Sequence, residues 1–214
     1  MNIEKFKELV NDFVSFESGV LGKAFNYDKF DMHKMTSECI LYLLSEGTKL
    51  LAKGEKYVCY GVFRGASLLI PASFNPTKKT VGLDNWSKFD DEKQNSGIVK
   101  DYMKKFGIDN VELFEMDYKD FFDTYEGKIG LLFADGDHTY DATLDALKRA
   151  NKIMKKNSVI IIDDTDRSEV KNAVNKFLEG NTDFKLIWDL KGANYIKDRH
   201  MAKAWWSGIM VLGK

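Results

Sequence analysis

From residue 57 onward, short apolar runs alternate with amphipathic stretches, and that alternation sets the expected architecture. Runs near 57–61, 79–84, 111–115, 129–134, 158–163, 184–188 and 206–212 predict strands. Stretches near 65–72, 93–106, 139–156 and 167–179 carry apolar residues at helical spacing and predict helices. Strands and helices taking turns produce a parallel sheet covered on both faces. The expected fold is α/β: a doubly wound, mostly parallel seven-stranded sheet with an antiparallel last strand. Upstream, Phe6, Leu9, Val10, Phe13 and Val14 recur at helical spacing, as do Met35, Cys39, Leu43 and Leu50. Gly19, Gly22, Asn26, Tyr27 and Asp28 read as a loop between them. No repeat or linker breaks the pattern, so one domain over 1–214 is expected, with 1–54 a helical N-terminal extension.

The stretch from Thr139 carries the clearest local signals. Thr139 suits a helix N-cap, with Asp141 and Asp145 in the opening turns. Lys148, Arg149, Lys152, Lys155 and Lys156 crowd the far end, where the helix dipole favours cations. Leu144, Leu147, Ala150 and Met154 form the stripe to be buried, and Asn157 stands where a left-handed cap is expected. The run 158–163 is almost wholly apolar, as in a strand covered on both faces. The last strand, with Trp205, Trp206, Ile209 and Val211, reads as an antiparallel edge.

Composition narrows the function classes. The chain is 44% hydrophobic and 30% charged, with a net charge of −1 and a pI near 6.3, which argues against a nucleic-acid partner. Cys39 and Cys59 both lie in apolar stretches and suggest no disulfide, consistent with a reducing compartment. No run is long enough to span a membrane and no signal-peptide core is visible near the N-terminus, so a cytoplasmic protein is expected. The sequence leaves a homo-oligomer open.

Chemistry concentrates at two strand ends. Phe133-Ala134-Asp135-Gly136-Asp137-His138-Thr139-Tyr140 and Ile160-Ile161-Ile162-Asp163-Asp164 each close an apolar run with carboxylates, with a helix pattern between. A right-handed crossover brings such strands side by side, so Asp135, Asp163 and Asp164 should converge where open α/β sheets bind ligands. Carboxylates so gathered repel one another unless a cation lies between them, and Mg²⁺ or Mn²⁺ is the expected one. Gly61-Val62-Phe63-Arg64-Gly65-Ala66-Ser67 follows the first strand and opens a helix, a place where backbone N–H groups can meet a ligand. On its own this motif reads equally well as a tight turn. Asp84, in Val81-Gly82-Leu83-Asp84-Asn85-Trp86, and Asp117, followed by Tyr118, repeat the pattern of an acid just beyond a strand.

These residues, in this order, resemble class I S-adenosylmethionine-dependent methyltransferases, in the branch that holds metal-dependent macrolide-sugar and catechol O-methyltransferases. The resemblance covers roughly residues 55–165. It implies a Rossmann-like core over 55–214, S-adenosylmethionine as cofactor and a small-molecule acceptor. It assigns Gly61, Phe63, Gly65 and Ser67 to the methionine part, Asp84, Asn85 and Trp86 to the ribose side, Asp117 and Tyr118 to the adenine side, and Asp135 to the cofactor as well. It also assigns Mg²⁺ (or Mn²⁺) to Asp135, Asp163 and Asp164, and makes His138 the catalytic base. The plainer reading of His138 is a loop histidine bonded to backbone at the start of the next helix. Two departures stand out: Cys59 replaces the acid of the first motif, and Pro71 should shorten or kink the helix after the glycine loop.

Other readings fit less well. A metal-independent methyltransferase would use the same acids as cofactor and cap groups. A catalytically inactive binding protein of the same fold is favoured by Cys59 and opposed by the retained acid clusters. A nicotinamide dehydrogenase lacks its third glycine here, and Asn75-Pro76-Thr77 lacks the ending by which nucleic-acid methyltransferases hold a flipped base. His33 and His200 belong to no ligand cluster, and the segment from Asp189 to Lys203, with Tyr195, reads as a solvated connection that could cover an acceptor.

Overall fold

The computed structural model describes residues 1–15, 29–190 and 207–214. Helices α1 (Ile3–Ser15) and α2 (Glu38–Lys49) precede strand β1 (Glu55–Tyr60). There follow α3 (Ala66–Phe74), β2 (Lys79–Leu83), α4 (Asn95–Phe106), β3 (Val111–Phe114), α5 (Tyr118–Thr124) and β4 (Lys128–Ala134). The described chain closes with α6 (Tyr140–Ile153), β5 (Val159–Ile162), α7 (Ser168–Glu179), β6 (Lys185–Leu190) and β7 (Ile209–Gly213). The strands form one seven-stranded sheet of order β3-β2-β1-β4-β5-β7-β6, parallel except for β7, which runs antiparallel to both neighbours.

Alternation along β1 shows why both faces are covered. Tyr57 and Cys59 point into the apolar layer shared with α1, α2 and α3, while Val58 and Tyr60 point into the layer under α5, α6 and α7. The N-terminal helices belong to the core: Phe6 and Val10 of α1 and Cys39, Ile40, Leu43 and Leu44 of α2 pack against Leu131 and Phe133 of β4 in one cluster. β5, Val-Ile-Ile-Ile, is buried throughout, as its unbroken apolar run requires.

Pro71, expected to shorten or kink the helix after the glycine loop, does not end α3. It lies inside the helix, two turns of which are almost fully buried, and the helix continues to Phe74. Proline cannot donate to the carbonyl four residues back, that of Ser67. Tyr57, wholly buried, supplies the missing donor through its hydroxyl at 2.8 Å. Tyr57→Phe should therefore leave a buried carbonyl orphaned and lower stability by roughly 1–3 kcal/mol in urea denaturation. A loss below about 0.5 kcal/mol, the range of an ordinary surface substitution, would mean that the Ser67 carbonyl is satisfied otherwise.

Other local expectations need correction. β7 is antiparallel but lies in the interior of the sheet, buried along its length between β5 and β6, so the edge is β6. Trp205 and Trp206, assigned to that strand from sequence, lie outside the described residues, as do Gly19 to Asp28, Tyr195 and His200. The helix expected over 139–156 ends at Ile153, so Lys155 and Lys156 lie beyond it, and the left-handed Asn157 (φ 62°) turns the chain into β5. Met35 precedes α2, which starts at Glu38 behind the N-cap Ser37. Helix α5 was invisible as a periodic pattern because it spans only seven residues.

Candidate active site

The carboxyl ends of β1, β2, β3, β4 and β5 open into one cleft of about 570 Å³. Gly61, Phe63, Ser67, Asp84, Asn85, Asp117, Tyr118, Asp135, His138, Asp163 and Asp164 all line it. Of the residues singled out from sequence, Gly65 and Trp86 do not. Gly65 is the left-handed N-cap of α3 (φ 93°), and Trp86 packs against the core behind the glycine loop. The loop ends must be glycine where the strand ends touch: a Cβ on Gly61 (φ 90°) would run into the carbonyl of Asp135, and one on Gly136 into the Tyr60 ring.

The acids after β2 and β3 are engaged with their own loops. Asp84 Oδ2 accepts the N–H groups of Val62 (2.8 Å) and Phe63 (2.9 Å), and Oδ1 accepts that of Trp86 (2.7 Å). Asp117 caps α5 by accepting from the Lys119 N–H at 2.9 Å, while its other oxygen receives the Asn85 amide at 3.4 Å. Tyr118 lies tilted over Tyr60, ring centres 5.3 Å apart, and its hydroxyl donates to Asp145 on α6. Asp137 is bound by Lys88 at 2.8 Å and by the Thr139 N–H at 3.1 Å, and the Lys88 ammonium holds its carboxyl below the usual range.

At the β4 and β5 ends the charges crowd. Asp135, His138 and Asp164 offer ligand atoms that all lie within 4.8 Å of one another. His138 Nε2 stands 3.2 Å from Asp164 Oδ2, which Arg167 Nε approaches to 3.5 Å. Asp163 turns one oxygen to the Ser207 hydroxyl and to the Asp164 N–H (2.9 Å). Burial and the neighbouring Asp163 and Asp164 push the Asp135 carboxyl well above its ordinary pKa. Burial likewise lifts Asp163 to about 7, against the Ser207 hydrogen bond. His138 is lowered, burial outweighing the attraction of Asp164. Asp135 has no hydrogen-bond partner for its carboxylate among the described residues, and its raised pKa reflects that burial without a partner.

Cys59, in the place of the first motif's acid, is a buried neutral thiol, raised to about 12 by burial and set 3.4 Å from Ser67 Oγ. Residues that sequence reasoning passed over also line the cleft. His33, Met35 and Thr36 come from the segment before α2, Lys88 from the loop after β2, and Arg167 and Ser207 from the loops around Asp163. His33, set aside for belonging to no cluster, meets the Phe63 ring at 5.6 Å. Among the described residues the Thr36 hydroxyl is buried without a hydrogen-bond partner, an unmet polar group in the cleft lining. Only Arg167 carried a signal, three residues after Asp164 at the opening of a helix pattern.

Comparisons with known proteins agree with this fold. A putative O-methyltransferase from Klebsiella pneumoniae superposes with a TM-score of 0.64 at 15% identity, over 98% of this chain and 97% of that one. The O-methyltransferase TomG of Streptomyces achromogenes, solved with S-adenosylmethionine, gives 0.63 at 18% identity over 99% and 98%. An rRNA methylase from Streptococcus thermophilus gives 0.58 at 17%, over 81% and 93%. A search of curated proteins gave no match. The sequence model of the methyltransferase domain matches residues 58–165, from β1 through the acids that follow β5. The chain therefore belongs to the methyltransferase-domain family.

Proposed function

We propose that the protein is an S-adenosylmethionine-dependent O-methyltransferase acting on a hydroxyl of a small molecule, assisted by a divalent cation. The carrying observation is the convergence of Asp135, Asp164 and His138 in the cleft, with the Asp135 carboxylate free of a hydrogen-bond partner among the described residues. Bound in the cleft, S-adenosylmethionine supplies an electrophilic methyl group. Glycine-loop backbone at Gly61 and Phe63, the hydroxyl of Ser67 and the groups at Asp84, Asn85, Asp117 and Tyr118 would hold it, and the unpaired Thr36 hydroxyl suits one of its polar ends. The neutral thiol of Cys59 supplies no charge to the cofactor amine, so other groups of the cleft must bind it.

The donor set fits a divalent cation. Asp135 and Asp164 are hard oxygen donors within reach of one another, and Asp163, raised to about 7 by burial, is a third acid lining the same cleft. A Mg²⁺ or Mn²⁺ ion held by these aspartates would supply Lewis acidity to the acceptor hydroxyl. His138, partly buried and depressed in pKa, is neutral near pH 7 and can accept the hydroxyl proton, while Asp164 steers its imidazole. A second reading dispenses with the metal. The 3.2 Å approach of His138 to Asp164 already forms an imidazole–carboxylate pair that could act as a base alone.

Aspartates outnumber Lys88 and Arg167 along the cleft, and Lys88 is paired with Asp137. Such a field disfavours a polyanion, so a small acceptor is favoured over the RNA named for one structural neighbour. Among the described residues no helix is long and apolar enough to cross a membrane. Calorimetric titration tests the cofactor reading: S-adenosylmethionine and S-adenosylhomocysteine should each bind saturably at one site, and NAD should not. Saturable NAD binding without response to either methionine derivative would overturn it.

A further inference from the structure

The loops after β1 and β2 are tied into one unit by hydrogen bonds that do not involve a ligand. Three backbone N–H groups, of Val62, Phe63 and Trp86, converge on the Asp84 carboxylate at 2.7–2.9 Å. In return, the Trp86 indole N–H donates to the Phe63 carbonyl at 2.9 Å. Phe63 (φ 51°) and Trp86 (φ 45°) both stand in the left-handed region, which bulky side chains avoid unless their surroundings impose it. Here the imposing contacts are those four hydrogen bonds and the packing of the Trp86 ring on the core. Phe63 and Asp84 line the cleft, whereas Trp86 reaches it only through the carbonyl it holds.

We propose that Trp86 is a positioning residue which, with Asp84, fixes the glycine loop in its ligand-binding shape before the cofactor arrives. The inference rests on the reading of S-adenosylmethionine as cofactor. Without the indole strut, Phe63 is free to leave its left-handed conformation and carry the neighbouring backbone with it. The ordering of the loop then falls to the ligand, at the expense of affinity. A carboxylate has about four acceptor sites, and three at Asp84 are taken by N–H groups, which leaves about one for a ligand hydroxyl. Asp84 thus holds the loop and keeps an acceptor turned to the cofactor.

Two measurements test this on the full-length chain. Trp86→Phe keeps a ring against the core and removes only the N–H donor. Titration with S-adenosylhomocysteine should show Kd raised about tenfold, the equivalent of one hydrogen bond. The KM for S-adenosylmethionine should rise in parallel, with kcat at saturation within about twofold of wild type. Unchanged Kd, or a fall in kcat at constant KM, would overturn the proposal. Amide hydrogen exchange on the wild-type protein decides the matter even if the variant folds poorly. The Val62 and Phe63 amides should be protected in the free protein and gain little on adding S-adenosylhomocysteine. Free exchange that slows only with ligand would overturn the lock. A wild-type protein that binds no S-adenosylhomocysteine would instead sink the cofactor reading, and exchange in the free protein would still test the lock.

Discussion

Excess chelator abolishes methyl transfer while S-adenosylhomocysteine still binds: this is the outcome expected if a divalent cation assists the reaction. The two halves of the result separate because the groups are separate. The glycine loop, Asp84 and Asp117 lie at the ends of β1, β2 and β3, whereas Asp135 and Asp164 lie at those of β4 and β5. Asp164→Ala should reproduce the effect of chelation by removing a donor that faces both Asp135 and His138. Asp163→Asn should impair as well, since the Asp163 carboxylate accepts from the Asp164 N–H and the Ser207 hydroxyl and so holds the loop that presents Asp164. Restoration of the wild-type rate by Mg²⁺ or Mn²⁺ after chelator removal completes the test. Full activity in excess chelator would discard the metal and promote the His138–Asp164 pair as the sole base.

His138→Gln should lower turnover by roughly 10²–10⁴-fold, the range for loss of a general base. Glutamine keeps hydrogen-bonding capacity toward Asp164 but cannot take a proton at this pH. The pH dependence gives the sign. A base works in its neutral form, so the wild-type rate should climb as pH rises through the His138 pKa and then level. Burial lowers that pKa, and a nearby cation would lower it further, so the climb should fall below the ordinary imidazole value of about 6.5 and the plateau should span neutral pH. The variant should lose that limb. A pH–rate profile of both proteins at saturating Mg²⁺ measures this. An unchanged profile with less than about a tenfold loss would assign His138 to shaping the loop before α6.

The sheet was legible because its strands are apolar runs whose period needs no tertiary knowledge. β5, four β-branched residues in a row, could hardly be anything else. The acids were legible for a related reason: each interrupts an apolar run at the point where the chain leaves the sheet. What escaped depended on partners distant in sequence. Pro71 forecast a shortened or kinked helix, and the donor that replaces its missing N–H comes from Tyr57, on a different element. Cleft groups such as His33, Thr36, Lys88 and Ser207 sit in loops without periodicity, and their places are set by the elements they join. Trp86 was assigned to ligand contact, whereas its ring lies behind the loop, a distinction of side-chain direction that a strand-end motif does not encode.

The interior position of β7 has a consequence for the order of assembly. β6 is synthesised before β7, the strand it pairs with among the described residues, and the outer edge of β5 stays open until residues 209–213 have emerged and inserted. An open apolar edge of that kind is the surface on which nascent chains aggregate. Ser207 stands just ahead of β7 and bonds to Asp163, so the strand that closes the sheet also delivers a hydroxyl to the acid cluster. A newborn chain should thus acquire its complete acidic edge late, in the same step that seals its most vulnerable flank.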